Sequence, residues 1–393
     1  MIKFEKHIPL SLGQSYGLFG VSTTNASYVE CAYVTYRQID VTAYSEATYY
    51  YEAVIQTSAG TGYATLWNHT GGAAVSGGEI STSSTSLVRV RSSAVTLTGS
   101  DDYTDRIKNN GSNTTTFYGG RVVVIQSASA ISATESIAVL FSYSTNGTTS
   151  GSYVQPGSIG DTYWLYTAAN WDGTVSIYHE VTMKVSAGTG YAEMQTTGGS
   201  SLSGSEVTTS STSFVRVRSS AVSPADATAY KTMIKASGGT TSFNSSAVVI
   251  RQTGTPTKGE AYLPFNTTTA ASATGGAFAD HQARVYYDPA NWSLDSISWY
   301  YETGSLSGGA FGSSRVYDID AAGALTGASV SFTGSTTERL RSSAVTMPGA
   351  AHTLRAETNS AAGTHYMAVA RLIAVMSWTN VSTSGGAFLL NFV

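Results

Sequence analysis

The chain has 393 residues, more than a single hydrophobic core normally supports, so two or three domains are expected. Charged residues make up 12% of it, against about 25% in ordinary domains, which excludes disorder driven by charge. A formal net charge of -4 leaves no cationic excess to neutralise phosphates, which speaks against nucleic acid as a partner. Gly 40, Tyr 25 and abundant Ser and Thr beside only 7 Pro describe short strands joined by small-residue turns.

In chain order, residues 1–16 come first, and Ile2, Phe4, Ile8, Leu10 and Leu12 alternate there with polar side chains. Two readings stay open: an anchoring arm that adds a strand to a partner's sheet edge, or a strand of the first unit. The stretch lacks the apolar core and cleavage site of a secretory leader, and no run of about 18 apolar residues follows anywhere. The expectation is a chain made in a cytoplasm, without a leader and without membrane insertion. Tyr28–Tyr33 reads as a strand holding Cys31, which is alone and cannot form an internal bridge. A tyrosine-rich run, Tyr49 to Tyr51, leads into Glu52, and Trp67, Asn68 and His69 stand before a Gly-Gly turn.

The next segment exposes the organisation of the chain. STSSTSLVRVRSSAV at 81–95 returns as TTSSTSFVRVRSSAV at 208–222, identical at 13 of 15 positions, and more weakly as TTERLRSSAV at 336–345. The string RSSAV begins at Arg91, Arg218 and Arg341, periods of 127 and 123 residues, and SAGTGYA at 58–64 returns at 186–192. A period near 125 is one whole β-sandwich, far beyond solenoid repeats. Each copy closes with an apolar run, at Arg121–Ile125, Ala247–Arg251 and Arg371–Val375. About eight strands fit each copy. The expected fold is therefore all-β: three tandem antiparallel jelly-roll-like β-sandwich domains. Their bounds are set at 17–127, 136–253 and 259–377, after the arm and before an apolar tail at 378–393. The short joins imply a rod or a compact triad.

Side chains alternate across a strand, so Arg89 and Arg91 share a face, as do Arg216 and Arg218, and Arg339 and Arg341. Such a pair of guanidiniums suits a carboxylate or sugar acid. It equally suits Glu52, Glu180 and Glu302, which recur in the same register, and these nine residues are taken as repeat-defining structural groups because a fold contact is copied with the fold. Trp67, Asn68 and His69 are candidate glycan contacts, since an indole face stacks on a pyranose. Asp101, Asp102 and Asp105 cluster in what reads as a loop, where a solvated turn is favoured over a calcium ion. No catalytic carboxylate pair, nucleophile elbow or metal-ligand spacing is nominated, so neither enzymatic activity nor a cofactor is expected.

The order of these parts, a tyrosine-rich strand with Glu, a hairpin, a Ser/Thr-rich approach to V-R-V-R-S-x-x-V and a closing V-V-V-I-Q strand, resembles carbohydrate-binding-module-like jelly-roll domains. Those occur in tandem in surface proteins and in bacteriophage virion proteins. The resemblance implies a non-enzymatic virion structural protein of the capsid-decoration, head-fibre or spike type. Its expected partners are other virion proteins and its own copies, and its expected place is the particle. The alternative is a carbohydrate-binding adhesin module, extracellular or at a cell surface, that engages host polysaccharide. An anchoring arm and the tail Gly385–Val393 would make the assembly contacts.

Overall fold

The computed structural model of the protein describes residues 1–11, 14–15, 18–19, 21–31, 35–156, 163–265, 276–281, 284–307, 311–332, 338–360 and 365–380. The first stretch carries β1 (Ile2–Ser11), the small hairpin β2 (Gln14–Ser15) and β3 (Leu18–Phe19), then β4 (Val21–Thr23), β5 (Val29–Glu30) and β6 (Arg37–Asp40). It continues with β7 (Ala47–Thr57), β8 (Gly62–Asn68), β9 (Ala73–Thr82), β10 (Val88–Val95), β11 (Ser100–Asn109) and β12 (Thr115–Ala128). One sheet runs β1-β12-β7-β10, with β4 also on β12; the other runs β5-β11-β8-β9, with β6 also on β11.

The same plan follows twice more. β13 (Ala133–Thr148), β14 (Trp164–Tyr166), β15 (Thr174–Val185), β16 (Thr189–Thr196), β17 (Val207–Thr209), β18 (Val215–Arg218), β19 (Thr228–Ser237) and β20 (Thr241–Thr253) form the sheets β13-β20-β15-β18 and β14-β19-β16-β17. β21 (Lys258–Phe265), β22 (Ala279–Asp280), β23 (Val285–Tyr287), β24 (Ser296–Ser307) and β25 (Gly312–Asp318) open the third set. β26 (Gly323–Phe332), β27 (Glu338–Val345), β28 (His352–Ser360) and β29 (His365–Ser377) complete it. Its sheets run β21-β29-β24-β27 and β22-β28-β25-β26, with β23 on β28. The fold is all-β and antiparallel, in sandwich-like sheet pairs whose strand order is that of a jelly roll.

The recurrent RSSAV string has a backbone cause. Between Arg91 and Ala94 the register of β10 on β7 shifts, which leaves a β7 amide without its ladder carbonyl. The hydroxyl of the first serine accepts that hydrogen bond instead: from the amide of Tyr51 to Ser92 at 2.9 Å, of His179 to Ser219 at 3.0 Å and of Tyr301 to Ser342 at 2.9 Å. A buried unpaired amide is costly, so the serine is fixed wherever this bulge is.

Residues 2–11 correct the anchoring-arm reading. They form β1 and pair with β12 from Ile2 opposite Ala128 to Pro9 opposite Arg121, so the N-terminal strand belongs to the first sheet. Without β1, the apolar closing strand β12 would present an open edge, and β1 covers it. Ile2, Phe4, Ile8 and Leu10 are all buried, which leaves them no surface to offer a partner. Leu12 and the tail from 381 lie outside the described residues.

The sheet pairs do not stand apart like beads. Ile137, Ala247 and Val249 of the second pair join the core of the first, and Tyr262 and Ile373 of the third join that of the second. Ile2, Phe4 and Ile131 join the core of the third. The leading strands β1, β13 and β21 pack against one another, which makes the arrangement a triad and not a rod.

Candidate functional site: a charged ring that closes the triad

The strand registers align the three pairs residue by residue. Glu52 lies opposite Arg91 and Arg121, Glu180 opposite Arg218 and Ala247, and Glu302 opposite Arg341 and Arg371. All three carboxylates are buried. Arg89 Nη1 lies 2.5 Å from Glu52 and Arg91 Nε 2.9 Å from it. Arg216 Nη1 and Arg218 Nη2 lie 3.3 and 2.7 Å from Glu180. Arg339 pairs with Glu302, and Arg341 Nε lies 3.0 Å from it. Burial alone would push each carboxyl up, but the guanidiniums outweigh it and hold Glu52, Glu180 and Glu302 at about 2.

A third cation completes each cluster, and it reaches across to a neighbouring sheet pair. Arg121 Nε is 3.6 Å from Glu52, while its Nη1 and Nη2 donate to the carbonyls of Pro264 (3.3 Å) and Arg284 (2.5 Å) of the third pair. Arg371 Nη2 is 2.5 Å from Glu302, and its Nη1 and Nη2 donate to the carbonyls of Val139 (2.8 Å) and Tyr163 (3.2 Å) of the second pair. The second pair has Ala247 at that position. There the cation arrives from the opposite side: Arg37 of the first pair donates from Nη1 to Glu180 Oε1 at 3.0 Å and from Nε to the Pro9 carbonyl at 3.3 Å.

A second set of glutamates occupies one register position of the leading strands, namely Glu5, Glu135 and Glu260. The 3-10 turn of one pair reaches the glutamate of another: Asn291 Nδ2 donates to Glu5 at 2.8 Å, and Asn170 Nδ2 donates to Glu260 at 2.5 Å. At the corresponding turn of the first pair the hydroxyl of Tyr44 lies 3.4 Å from Glu135, which Arg251 also holds. The sense of these contacts is third to first, second to third, and first to second, so the ring closes. At its centre the ammonium of Lys6 donates to Ser136 Oγ at 2.7 Å and to the Glu260 carbonyl at 2.5 Å. Burial lowers Lys6 to about 7 against the pull of the Glu260 carboxylate. Within the second pair, burial holds His179 down at about 4, with the Ser205 carbonyl on its Nδ1 and Thr232 on its Nε2.

The remaining sequence candidates separate. Trp67 is half-buried at the end of β8 with the Arg106 guanidinium 3.8 Å from its ring, and the exposed His69 lies 4.1 Å from the Tyr36 ring. Asn68 is engaged in the turn: its Nδ2 donates to Asp101 at 2.7 Å and its Oδ1 accepts from the Gly71 amide at 2.7 Å. Asp101, Asp102 and Asp105 lie on a strand, β11, and not in a loop. Asp102 pairs with Arg216 at 2.6 Å, while Asp105 is fully buried. Among the described residues no group of three or more His, Cys, Asp or Glu side chains is placed to hold a metal ion.

Sequence reading missed the glutamates of the leading strands and the crossing arginines. Glu5, Glu135 and Glu260 stand 130 and 125 residues apart, close to the repeat period, and the signal that could have found them is short: Pro9 and Pro264 follow their glutamates by four residues, and Leu10 and Leu140 by five.

No family model matches the chain, and no curated protein matches it. Among solved structures it is similar to the N-terminal CBM22-1-CBM22-2 tandem of Xyn10C from Paenibacillus barcinonensis, at 10% identity over 62% of this chain and 99% of that one, with a TM-score of 0.19. A chain from an archaeal virus, described for its triple jelly roll fold and turret assembly, is 8% identical over 94% of this chain and 98% of its own, with a TM-score of 0.20. A chain of infectious bursal disease virus, Gt strain, is 11% identical over 98% of this chain and 81% of its own, also at 0.20. The functional reading rests on the geometry of this chain.

Proposed function

We propose that the chain is a non-enzymatic structural protein of a virion, in which three jelly-roll units of one chain make a rigid, closed block for assembly with other particle proteins or with further copies of itself. In this reading the units are residues 1–128, 133–253 and 258–377. The observation that carries it is the closed ring: each unit is tied to its neighbours by shared apolar cores and by charged or amide side chains that cross the junctions, as ion pairs between the first and second units and as hydrogen bonds to the third. Paired buried charges of this kind set orientation more than they add stability. Fixed orientation is what a lattice or fibre component needs, and the buried carboxylates of Glu52, Glu180 and Glu302 are consumed by ion pairs. Exposed Phe311 and the low surface charge favour contacts with other proteins.

The test is co-sedimentation of the purified full chain with particles from its native source, followed by labelled electron microscopy. A regular pattern on particles is the expected result; a chain that stays in the soluble fraction overturns the reading. A second reading, a carbohydrate-binding module, is favoured by the position of Trp67 and exposed His69 at one strand end. It predicts saturable retention on a glycan array that Trp67→Ala abolishes.

A further inference from the structure

We propose that the groove between the first and second sheet pairs binds the carboxylate of an acidic sugar, independently of any role in assembly. The three junctions are alike in plan, and one of their differences lies at the rim. Counting back two residues from the cap of each 3-10 turn gives Gln38, Leu165 and Tyr286. At the junction of the third pair with the first, the Tyr286 ring lies 3.9 Å from the Arg89 guanidinium and 5.7 Å from that of Arg91, so the arginine pair is roofed by an aromatic. At the junction of the first pair with the second, Gln38 stands in its place, and a groove of about 570 Å³ remains. That volume lies in the range of small-molecule sites, roughly 300 to 1,000 Å³.

Gln38, Arg216, Arg218, Ser220, Thr208 and Glu206 line this groove. The arginines are anchored from behind and from the side: Glu180 takes Arg216 Nη1 and both Nε and Nη2 of Arg218, while Asp102 takes Arg216 Nε. That leaves Arg216 Nη2 and Arg218 Nη1 without an acceptor among the described residues, on side chains still 14% exposed. Two fixed guanidiniums with spare donors suit a carboxylate. On the same wall the hydroxyls of Thr208 and Ser220, and the carboxylate of Glu206, match sugar hydroxyls. Glu206 is itself held by Lys235 at 3.4 Å and by the Tyr153 hydroxyl, so its charge is partly spent and it acts as an acceptor. A ligand with one carboxylate and several hydroxyls fits both halves of the lining, where a bare anion would meet Glu206.

The test uses the full chain and titration calorimetry with glucuronic acid, N-acetylneuraminic acid, glucose and citrate, with NMR of the arginine Nε–H signals as a second readout. Saturable binding of at least one acidic sugar, weaker by tenfold or more for glucose and for citrate, is expected, with perturbed Arg216 and Arg218 signals. Gln38→Tyr, which copies the roofed junction and touches no ion pair, is expected to weaken binding at least tenfold with an unchanged thermal midpoint. Ser220→Trp, at an exposed position across the groove, gives the same answer should the first variant destabilise the chain. Absence of binding by every acidic sugar, equal binding of glucose or citrate, or full binding by both variants overturns the proposal. Particle association of Gln38→Tyr is expected to be unchanged, so failure here and failure of the assembly reading are separate results.

Discussion

The junction between the third and first sheet pairs and the junction between the first and second pairs solve one electrostatic problem in opposite ways. In the former, Arg121 stands beside its own unit's Glu52 and reaches out to the carbonyls of Pro264 and Arg284. In the latter, the inward position is Ala247, and Arg37 comes in from the neighbour to reach Glu180. The rims differ too: Tyr286 covers Arg89 at one, while Asp102 holds Arg216 at the other. What is preserved is the balance around the buried glutamate, not the residue that supplies it. A buried carboxylate with too few partners is costly whichever chain segment provides them.

Acid should break both junctions together and is the largest expected effect. Glu52, Glu180 and Glu302 sit at about 2 in the fold and near 4.5 when unfolded. Their contribution is therefore complete above pH 4.5 and lost as pH falls toward 2, on the order of 3 kcal/mol for each group. His179 starts the decline earlier. Held neutral with a value of about 4 against an ordinary 6.5, it loses stability as pH falls through that window. Urea midpoints taken from pH 7 down to pH 2 should fall steadily through both windows. A flat profile would mean that the glutamates are not ion-paired in solution.

Arg37→Leu separates the junctions. It should cost about 3–5 kcal/mol, because it removes a guanidinium from the buried Glu180 cluster. Adding Ala247→Arg should restore most of the loss, since it rebuilds the geometry that Arg121 and Arg371 already use. No recovery in the double variant would mean that the two arrangements are not interchangeable. At the centre, Lys6→Met removes a buried cation that burial disfavours, and its effect is read in the pH slope of stability. Lys6 sits at about 7 in the fold against 10.5 unfolded, facing Ser136 and Glu260. The unfolded chain binds the extra proton between those values, so wild-type stability should rise from pH 7 to pH 10.5, and the variant should lose that slope.

How much of this was written in the sequence depends on whether a contact is local in register. Glu52 with Arg89 and Arg91 is a cross-strand neighbourhood inside one sheet, copied with the unit, and so visible as a repeat. The serine of RSSAV is legible for the same reason, because it belongs to a bulge. Arg37, Asn170 and Asn291 act between units, and their use depends on how the ring closes, which no periodicity encodes. β1 was ambiguous for a related reason: an alternating apolar strand reads the same whether its partner edge is in its own chain or another, and only the β1–β12 register decides. Asp101, Asp102 and Asp105 read as a loop because acidic residues are depleted in strands. Asp102 is tolerated on β11 because Arg216 lies opposite it, and that residue is 114 positions away.

The rims should show the smallest effect and the sharpest contrast. Asp102 is 25% exposed, so screening by water limits its pair with Arg216, and Asp102→Asn should cost less than about 1 kcal/mol. That cost should shrink further in 0.5 M salt, since exposed ion pairs are screened. Tyr286→Leu should cost about the same at low salt, roughly 0.5–1 kcal/mol for the lost cation–π contact. Part of that loss is apolar cover over Arg89 and should persist as salt rises. Thermal midpoints of the two variants at low and high salt test this: parallel salt responses would show that the rims, unlike the cores, are held by one mechanism.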